Sequence, residues 1–99
     1  MTISITRHDQ GSNGEYRAAV EGGSAIGRLT YVRRQTDLGD VLVAEHTLVP
    51  VEIGGRGVAG KLLEALIADA RADHFRIEPQ CNYVEAAFRK HPEWADLRA

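Results

Sequence analysis

Residues 49–66 read VPVEIGGRGVAGKLLEAL, and this stretch decides how the chain folds. A β-branched run ends at Pro50, and glycines then occupy positions 54, 55 and 57. Beyond them, apolar side chains recur at helical spacing, at Val58, Leu62, Leu63, Leu66, Ile67 and Ala70. The pattern predicts a strand, a tight loop and the N-terminus of an amphipathic helix.

The glycine loop has the properties of an anion-binding site. The first amides of a helix have no partner within the helix, and the helix dipole places about half a positive charge there. Glycines let the backbone approach a ligand closely, and Arg56 and Lys61 add two cations. We interpret the loop as a phosphate or pyrophosphate cradle; a simple chain reversal is the alternative. The loop is neither a Rossmann nor a Walker motif, because its glycine spacing differs and Leu62 follows Lys61.

Composition limits the function classes. The chain has 99 residues, a net charge of −2 and 43% hydrophobic residues, which predicts one globular domain over residues 1–99. The charge balance argues against a nucleic-acid partner, and no apolar run is long enough to span a membrane or form a signal core. A single cysteine excludes an internal disulfide and favours a reducing, cytoplasmic compartment. We expect a monomer or a weak dimer.

The order of elements predicts the fold class. Strands are expected over residues 2–7, 15–20, 24–34 and 41–49, with Gly22-Gly23 as a two-residue hairpin turn. A helix over 57–73, a strand over 75–78, a helix to about residue 90 and a last helical turn from Pro92 follow. This is an α+β domain with a mainly antiparallel sheet and two main helices. The fourth and fifth strands form a parallel, right-handed crossover around the first helix.

Three clusters could carry chemistry: residues 45–47, the glycine loop and residues 79–83. Parallel strands end at the same edge of a sheet, so we expect His46, the loop and Cys81 to converge on one cleft. His46 is a candidate base because an imidazole titrates near neutral pH, and a hydrogen-bonded strand histidine is the alternative. Strict alternation places Glu45 on the opposite side from His46. No His, Cys or Asp spacing indicates a metal site.

Cys81 directly precedes Asn82, which is expected to cap the second helix, with Glu85 completing a capping box. Free amides and the helix dipole stabilise a thiolate there, so we expect the pKa of the Cys81 thiol to lie below its ordinary value. The alternative interpretation is that Cys81 is a small, unreactive residue of the core. Tyr83 is expected to pack rather than to react.

Together these residues resemble the small single-domain branch of the GNAT acetyltransferase superfamily, over roughly residues 15–95. The matching motifs are His-Thr-x-Val-Pro before the loop, Pro-x-Cys-x-Tyr-Val after the fifth strand, and a final His-Pro. They correspond here to His46, Thr47, Val49, Pro50, Pro79, Cys81, Tyr83, Val84, His91 and Pro92. The set as a whole is specific, although each motif alone is weak.

The resemblance implies an acetyltransferase that uses acetyl-CoA and no metal. Its implied cofactor-binding residues are Val49, Ile53, Gly54, Gly55, Arg56, Gly57, Val58, Ala59, Gly60 and Lys61, and Cys81 is the implied catalytic residue. His46 is the candidate for the base that takes the proton of the amine. The acceptor is an amine, and the open cleft of so small a domain favours a macromolecular or loosely held one. Glu52 occupies the position where the superfamily usually has Gln or Arg. Phe88 occupies the position where many members have a Tyr that acts as a general acid and protonates the leaving thiolate. Both departures favour the alternative, a non-catalytic module that binds CoA or acyl-CoA; a small interaction protein is a weaker alternative.

Overall fold

The computed structural model describes residues 2–37 and 39–99. Its strands are β1 (Ile3–Asp9), β2 (Asn13–Val20), β3 (Ile26–Thr36), β4 (Gly39–Leu48) and β5 (Arg76–Pro79). Its helices are α1 (Val58–Asp73) and α2 (Asn82–Lys90), and short 3₁₀ helices span Val51–Ile53 and Pro92–Leu97.

The sheet has the order β1-β2-β3-β4-β5, so each strand lies beside its neighbour in sequence. The pairs from β1 to β4 are antiparallel, whereas β4 and β5 are parallel and joined through α1. The predicted α+β class, mainly antiparallel sheet and parallel crossover are therefore confirmed.

Two local features differ from the predictions. The strand before the loop ends at Leu48, one residue earlier than expected, and a 3₁₀ helix over Val51–Ile53 that was not predicted leads into the glycine loop. The turn between β2 and β3 is longer than a two-residue hairpin, since the last paired residues are Ala19 and Ile26. The amide of Gly23 bonds to the carbonyl of Val20 at 3.0 Å, which closes a β-turn inside this longer connection.

Helix α1 packs its apolar stripe on one face of the sheet. The six apolar positions that set its helical spacing are all buried: Val58, Leu62, Leu63, Leu66, Ile67 and Ala70. The helix contacts β1, β2 and β3. Its first turn rests directly on Gly27 of β3, where a Cβ atom would lie only 2.8 Å from Cγ1 of Val58. A glycine at this position therefore sets how closely the helix N-terminus approaches the sheet.

A group of paired polar residues holds β1 against β2, β3 and the second half of α1. We call Arg7, Asp9, Tyr16, Tyr31 and Asp69 the Arg7 cluster. The Arg7 guanidinium lies 3.2 Å from carboxylate oxygens of both Asp9 and Asp69 and donates to the Tyr31 hydroxyl at 3.1 Å. The hydroxyls of Tyr16 and Tyr31 donate to Asp69 and Asp9 at 2.7 and 2.6 Å. The charges and hydroxyls of the cluster thus satisfy one another.

Candidate functional site

The sheet opens between β4 and β5. The two strands pair from Val41 and Arg76 to Ala44 and Pro79. The amides of Gln80 and Cys81 then both bond to the carbonyl of Ala44, at 3.0 and 2.9 Å. Beyond this point β4 pairs with β3 alone, while the segment that follows β5 turns away and forms α2. We call the space between residues 45–48 of β4 and Cys81 the β4–β5 opening.

Cys81 lies at this opening and is the N-cap residue of α2. Its half-buried Sγ lies 3.5 Å from Oγ1 of Thr47 on β4. Burial raises the pKa of the Cys81 thiol, but hydrogen bonding with the Thr47 hydroxyl and with the amides of Val84, Tyr83 and Thr47 lowers this pKa by more. The pKa therefore lies below its ordinary value, as expected from the position of Cys81 at a helix N-terminus.

The predicted capping arrangement of α2 is wrong. The helix begins at Asn82, so the N-cap is Cys81, and no side chain hydrogen-bonds to the N-terminal amides as a cap. The Glu85 carboxylate does not complete a capping box either, because it lies 2.9 Å from the guanidinium of Arg98. The first amides of α2 are consequently left to face the Cys81 thiol.

Strand β4 contains a β-bulge at Glu45, directly before His46. Thr30 pairs with His46 and Tyr31 with Ala44, so Glu45 is an extra residue on β4. The bulge interrupts the strict alternation on which the expected orientation of Glu45 rested.

His46 and Cys81 border the same opening but not the same face of the sheet. His46 is exposed, and its register partner Thr30 lies on the face without helices. Thr47 pairs with buried Leu29 on the helix face, and it is Thr47 that contacts Cys81. The expected convergence thus brings the two residues to one opening from opposite sides.

The glycine loop has open space beside its backbone at Gly55 and Gly57. Gly55 and Gly57 have positive φ angles of 72° and 77°, and a Cβ at either position would meet no atom within 4 Å. Gly57 is the N-cap of α1. The first backbone hydrogen bond of the helix runs from the Lys61 amide to the Gly57 carbonyl, at 3.1 Å. The amides of residues 58–60 precede that bond, and the first turn contains no acidic residue. This arrangement fits a phosphate or pyrophosphate group.

The remaining candidate binding residues differ in accessibility. Val49 is half-buried and Arg56 is exposed, whereas Ile53 is buried and its amide bonds to the Pro50 carbonyl at 3.1 Å. Ile53 therefore supports the loop from the core. Lys61 is exposed on α1, and its ammonium lies 3.6 Å from the Glu64 carboxylate.

Glu52 is exposed beside the loop. With Arg56 it lines a depression against the turn between β2 and β3. Its carboxylate is thus placed near the cradle but on the side of that turn.

Tyr83 lies at the start of α2, where the sequence analysis expected it to pack rather than to react. It is 42% exposed, so its side chain is only partly covered. Its hydroxyl would lie 3.8 Å from a Cβ on Gly60, in the first turn of α1. Phe88, one helical stretch further on, is buried and packs edge-on against Trp94 with ring centroids 5.6 Å apart.

The fold and the site together define a small α+β domain with an open glycine loop at the N-terminus of α1 and a thiol where two parallel strands part. A family model described as GCN5-related N-acetyl-transferase matches residues 15–97. The chain belongs to this family of acetyltransferase domains. Curated protein sequences give no match.

The described residues add two further findings. Within residues 2–37 and 39–99, no three His, Cys, Asp or Glu side chains are placed to share a metal ion. No helix in the same part of the chain is long and apolar enough to cross a bilayer.

Proposed function

We propose that this protein binds acetyl-CoA and transfers the acetyl group to an amine, with Cys81 and His46 as its catalytic residues. The observation that carries the proposal is the position of Cys81. Its Sγ lies 3.5 Å from Thr47 at the point where β4 and β5 part, with amides of α2 turned toward it. Membership in the family supports acetyl transfer in general.

The cradle and the opening divide the binding of acetyl-CoA between them. The amides of residues 58–60 and the positive-φ backbone of Gly55 and Gly57 would hold the pyrophosphate. The pantetheine arm would then run along β4 past Val49 into the β4–β5 opening, which brings the thioester to Cys81. Arg56 and Lys61 would add positive charge at the mouth of the cradle.

The two faces of the opening suggest separate routes for the two substrates. The thioester would arrive on the helix face, where Thr47 contacts Cys81. The amine would arrive on the other face, where His46 is exposed opposite Thr30. His46 would take the proton that the amine loses as its nitrogen forms the new amide bond. Because this face carries no helix among the described residues, the acceptor site is open enough for a macromolecular amine.

Cys81 has two possible roles in this reaction, and the lowered pKa of its thiol favours nucleophilic attack. As a nucleophile, its thiolate would form a new S–C bond to the acetyl carbonyl, and the C–S bond of acetyl-CoA would break to release CoA. The amine would then displace the Cys81 thiolate. As a general acid, Cys81 would instead give its proton to the departing CoA thiolate while the amine attacks directly, and it would carry no acetyl group.

Intact mass separates these roles. Wild type and Cys81→Ala are incubated with acetyl-CoA in the absence of an amine. An acetyl adduct on wild type that is absent from Cys81→Ala supports the nucleophile. No adduct, together with loss of amine transfer and retained acetyl-CoA binding in Cys81→Ala, supports the acid. Undiminished transfer by Cys81→Ala would contradict both roles.

A second function, binding of CoA or acyl-CoA without turnover, is favoured by Phe88. This residue has no hydroxyl, and it is buried against Trp94, away from solvent. A panel of primary amines, including lysine-containing peptides, tests the choice. Acetyl transfer above the rate of free acetyl-CoA hydrolysis supports the enzyme, whereas binding without transfer to any of them supports the module.

A further inference from the structure

A groove between α1 and α2 begins where the glycine cradle ends. It is lined by Gly60, Leu63 and Glu64 from α1, by Tyr83 and Ala87 from α2, and by His91, Glu93 and Trp94 beyond it. Gly60 belongs to the first turn of α1, and the Tyr83 hydroxyl lies beside it. The groove is therefore continuous with the cradle.

Three aromatic rings line this groove, those of Tyr83, His91 and Trp94. Tyr83 is 42% exposed, and Ala87 of the same helix lines the groove beside it. The ring of His91 stacks on that of Trp94, with centroids 4.1 Å apart and planes 16° from parallel. The Glu93 carboxylate accepts a hydrogen bond from His91 at 2.9 Å, and Glu64 lies 3.6 Å from Lys61. Both carboxylates of the groove are thus engaged at its edges.

A second depression borders the cradle on its other side. It lies between the 3₁₀ helix Val51–Ile53 and the β2–β3 turn, and its lining includes Glu21, Glu52 and Arg56. Its described lining contains no aromatic ring. A flat nucleobase gains from stacking against aromatic side chains, so it is better matched to the groove than to this depression.

We infer that the groove between α1 and α2 binds the adenine of acetyl-CoA, with Tyr83 as the residue that contacts the base. This inference rests on the proposed function, because it assumes that the pyrophosphate lies in the cradle. Of the two depressions that border the cradle, the one with aromatic side chains begins at Gly60 and Tyr83. Tyr83 would then serve both halves of the site, since its backbone amide faces the Cys81 thiol and its side chain faces the base.

The test compares two ligands that differ only by the nucleotide. Acetyl-CoA and S-acetyl-4′-phosphopantetheine are titrated calorimetrically into wild type, Tyr83→Ala, Tyr83→Phe and Val32→Ala. Val32 is a matched control because it is 37% exposed and lies on β3, outside the site. We expect Tyr83→Ala to weaken acetyl-CoA binding about ten-fold through loss of base stacking. Tyr83→Phe keeps the ring and should change it less than about two-fold, as should Val32→Ala. The phosphopantetheine thioester should bind all four proteins alike.

The single tryptophan provides an independent reading, because Trp94 lines the groove and gives one indole N–H resonance. Acetyl-CoA should shift this resonance, and the phosphopantetheine thioester should leave it in place. Equal weakening of both ligands by Tyr83→Ala, or no weakening of either, would overturn the inference while leaving the proposed function intact. So would a nucleotide-dependent loss in Glu52→Ala with none in Tyr83→Ala. Absence of acetyl-CoA binding by wild type would overturn both.

Discussion

The Arg7 cluster and the glycine loop with the β4–β5 opening are both rich in polar groups, but they use them in opposite ways. In the cluster, each charge or hydroxyl is directed at another, as in the bonds from Tyr16 to Asp69 and from Tyr31 to Asp9. In the loop, the backbone at Gly55 and Gly57 faces open space, and the first amides of α1 precede its first backbone bond. Polar groups that satisfy one another hold elements together, whereas donors left without internal partners are available to a ligand.

The largest expected effect is on stability at the Arg7 cluster. Arg7→Ala should lower the free energy of unfolding by about 2–3 kcal/mol, because it removes the shared partner of Asp9, Asp69 and Tyr31. Urea unfolding measures this loss. Arg89→Ala is the matched control, since Arg89 is 72% exposed and its guanidinium lies 4.0 Å from Glu85.

If the two regions have separate tasks, the folded Arg7→Ala protein should bind acetyl-CoA as wild type does. A stability loss no greater than that of Arg89→Ala would remove the structural role given to the cluster. A folded Arg7→Ala protein with impaired binding would show that the two regions are coupled.

The next effect is on binding at the loop. Gly57→Glu should weaken acetyl-CoA binding by more than about ten-fold, because it introduces a side chain and a negative charge beside a helix N-terminus that favours anions. Stability should fall by about 1 kcal/mol, since Gly57 has φ 77° and other residues are strained there.

Gly11→Glu serves as the control for Gly57→Glu. Gly11 has φ 89°, has open space around its Cβ position, and lies beside the Arg7 cluster instead of the loop. It should lose similar stability and keep its affinity for acetyl-CoA. Equal affinity in the two glutamate variants would exclude the loop as the pyrophosphate site.

A smaller effect depends on pH and belongs to the cluster. The hydrogen bond from Tyr31, followed by that from the Gly11 amide, lowers the pKa of Asp9 to about 2. A carboxyl group whose pKa is lowered by folding stabilises the protein above its unfolded pKa and loses that contribution as the pH falls through about 2. Because Asp9 is partly exposed, we expect Asp9→Asn to cost about 1 kcal/mol at pH 7.

Thermal unfolding of wild type and Asp9→Asn at a series of pH values checks this. The difference in melting temperature between wild type and Asp9→Asn should be largest near neutral pH and should shrink as the pH falls toward 2. A difference that is independent of pH would indicate that packing, and not the ionised carboxylate, is lost in Asp9→Asn.

The smallest effect is expected at Glu52. Glu52→Gln should leave acetyl-CoA affinity unchanged or raise it by no more than about two-fold, because it removes an exposed, solvent-screened carboxylate near the cradle. Calorimetric titration decides the sign. A clear loss of affinity would give Glu52 a positive role, such as orienting Arg56 on the shared wall of their depression.

Much of the fold was readable from the sequence, because its periodicities are strong. The α1 stripe from Val58 to Ala70 is buried as its spacing predicts, and the alternation of Tyr16, Ala18 and Val20 places all three in the core. The parallel crossover followed from the order of elements alone. These features depend on many residues acting in the same direction.

The details of the site were harder to predict because each depends on one residue. The bulge at Glu45 arises from pairing with β3 and leaves no mark on the local pattern. Asn82 is a better capping residue than cysteine by local preference, yet the chain begins α2 one residue later than that preference suggests. The contact between Cys81 and Thr47 joins residues distant in sequence, so only the folded sheet reveals it.

The most direct test of the account is an amide-resolved NMR titration of wild type with acetyl-CoA. The account predicts shifts of the amides of residues 53–61 around the cradle and of residues 81–84 at the start of α2, with the Arg7 cluster unchanged. Binding confined to residues near Arg7, or no shift in either segment at saturating acetyl-CoA, would contradict the claim that the glycine loop and the β4–β5 opening form one acetyl-CoA site.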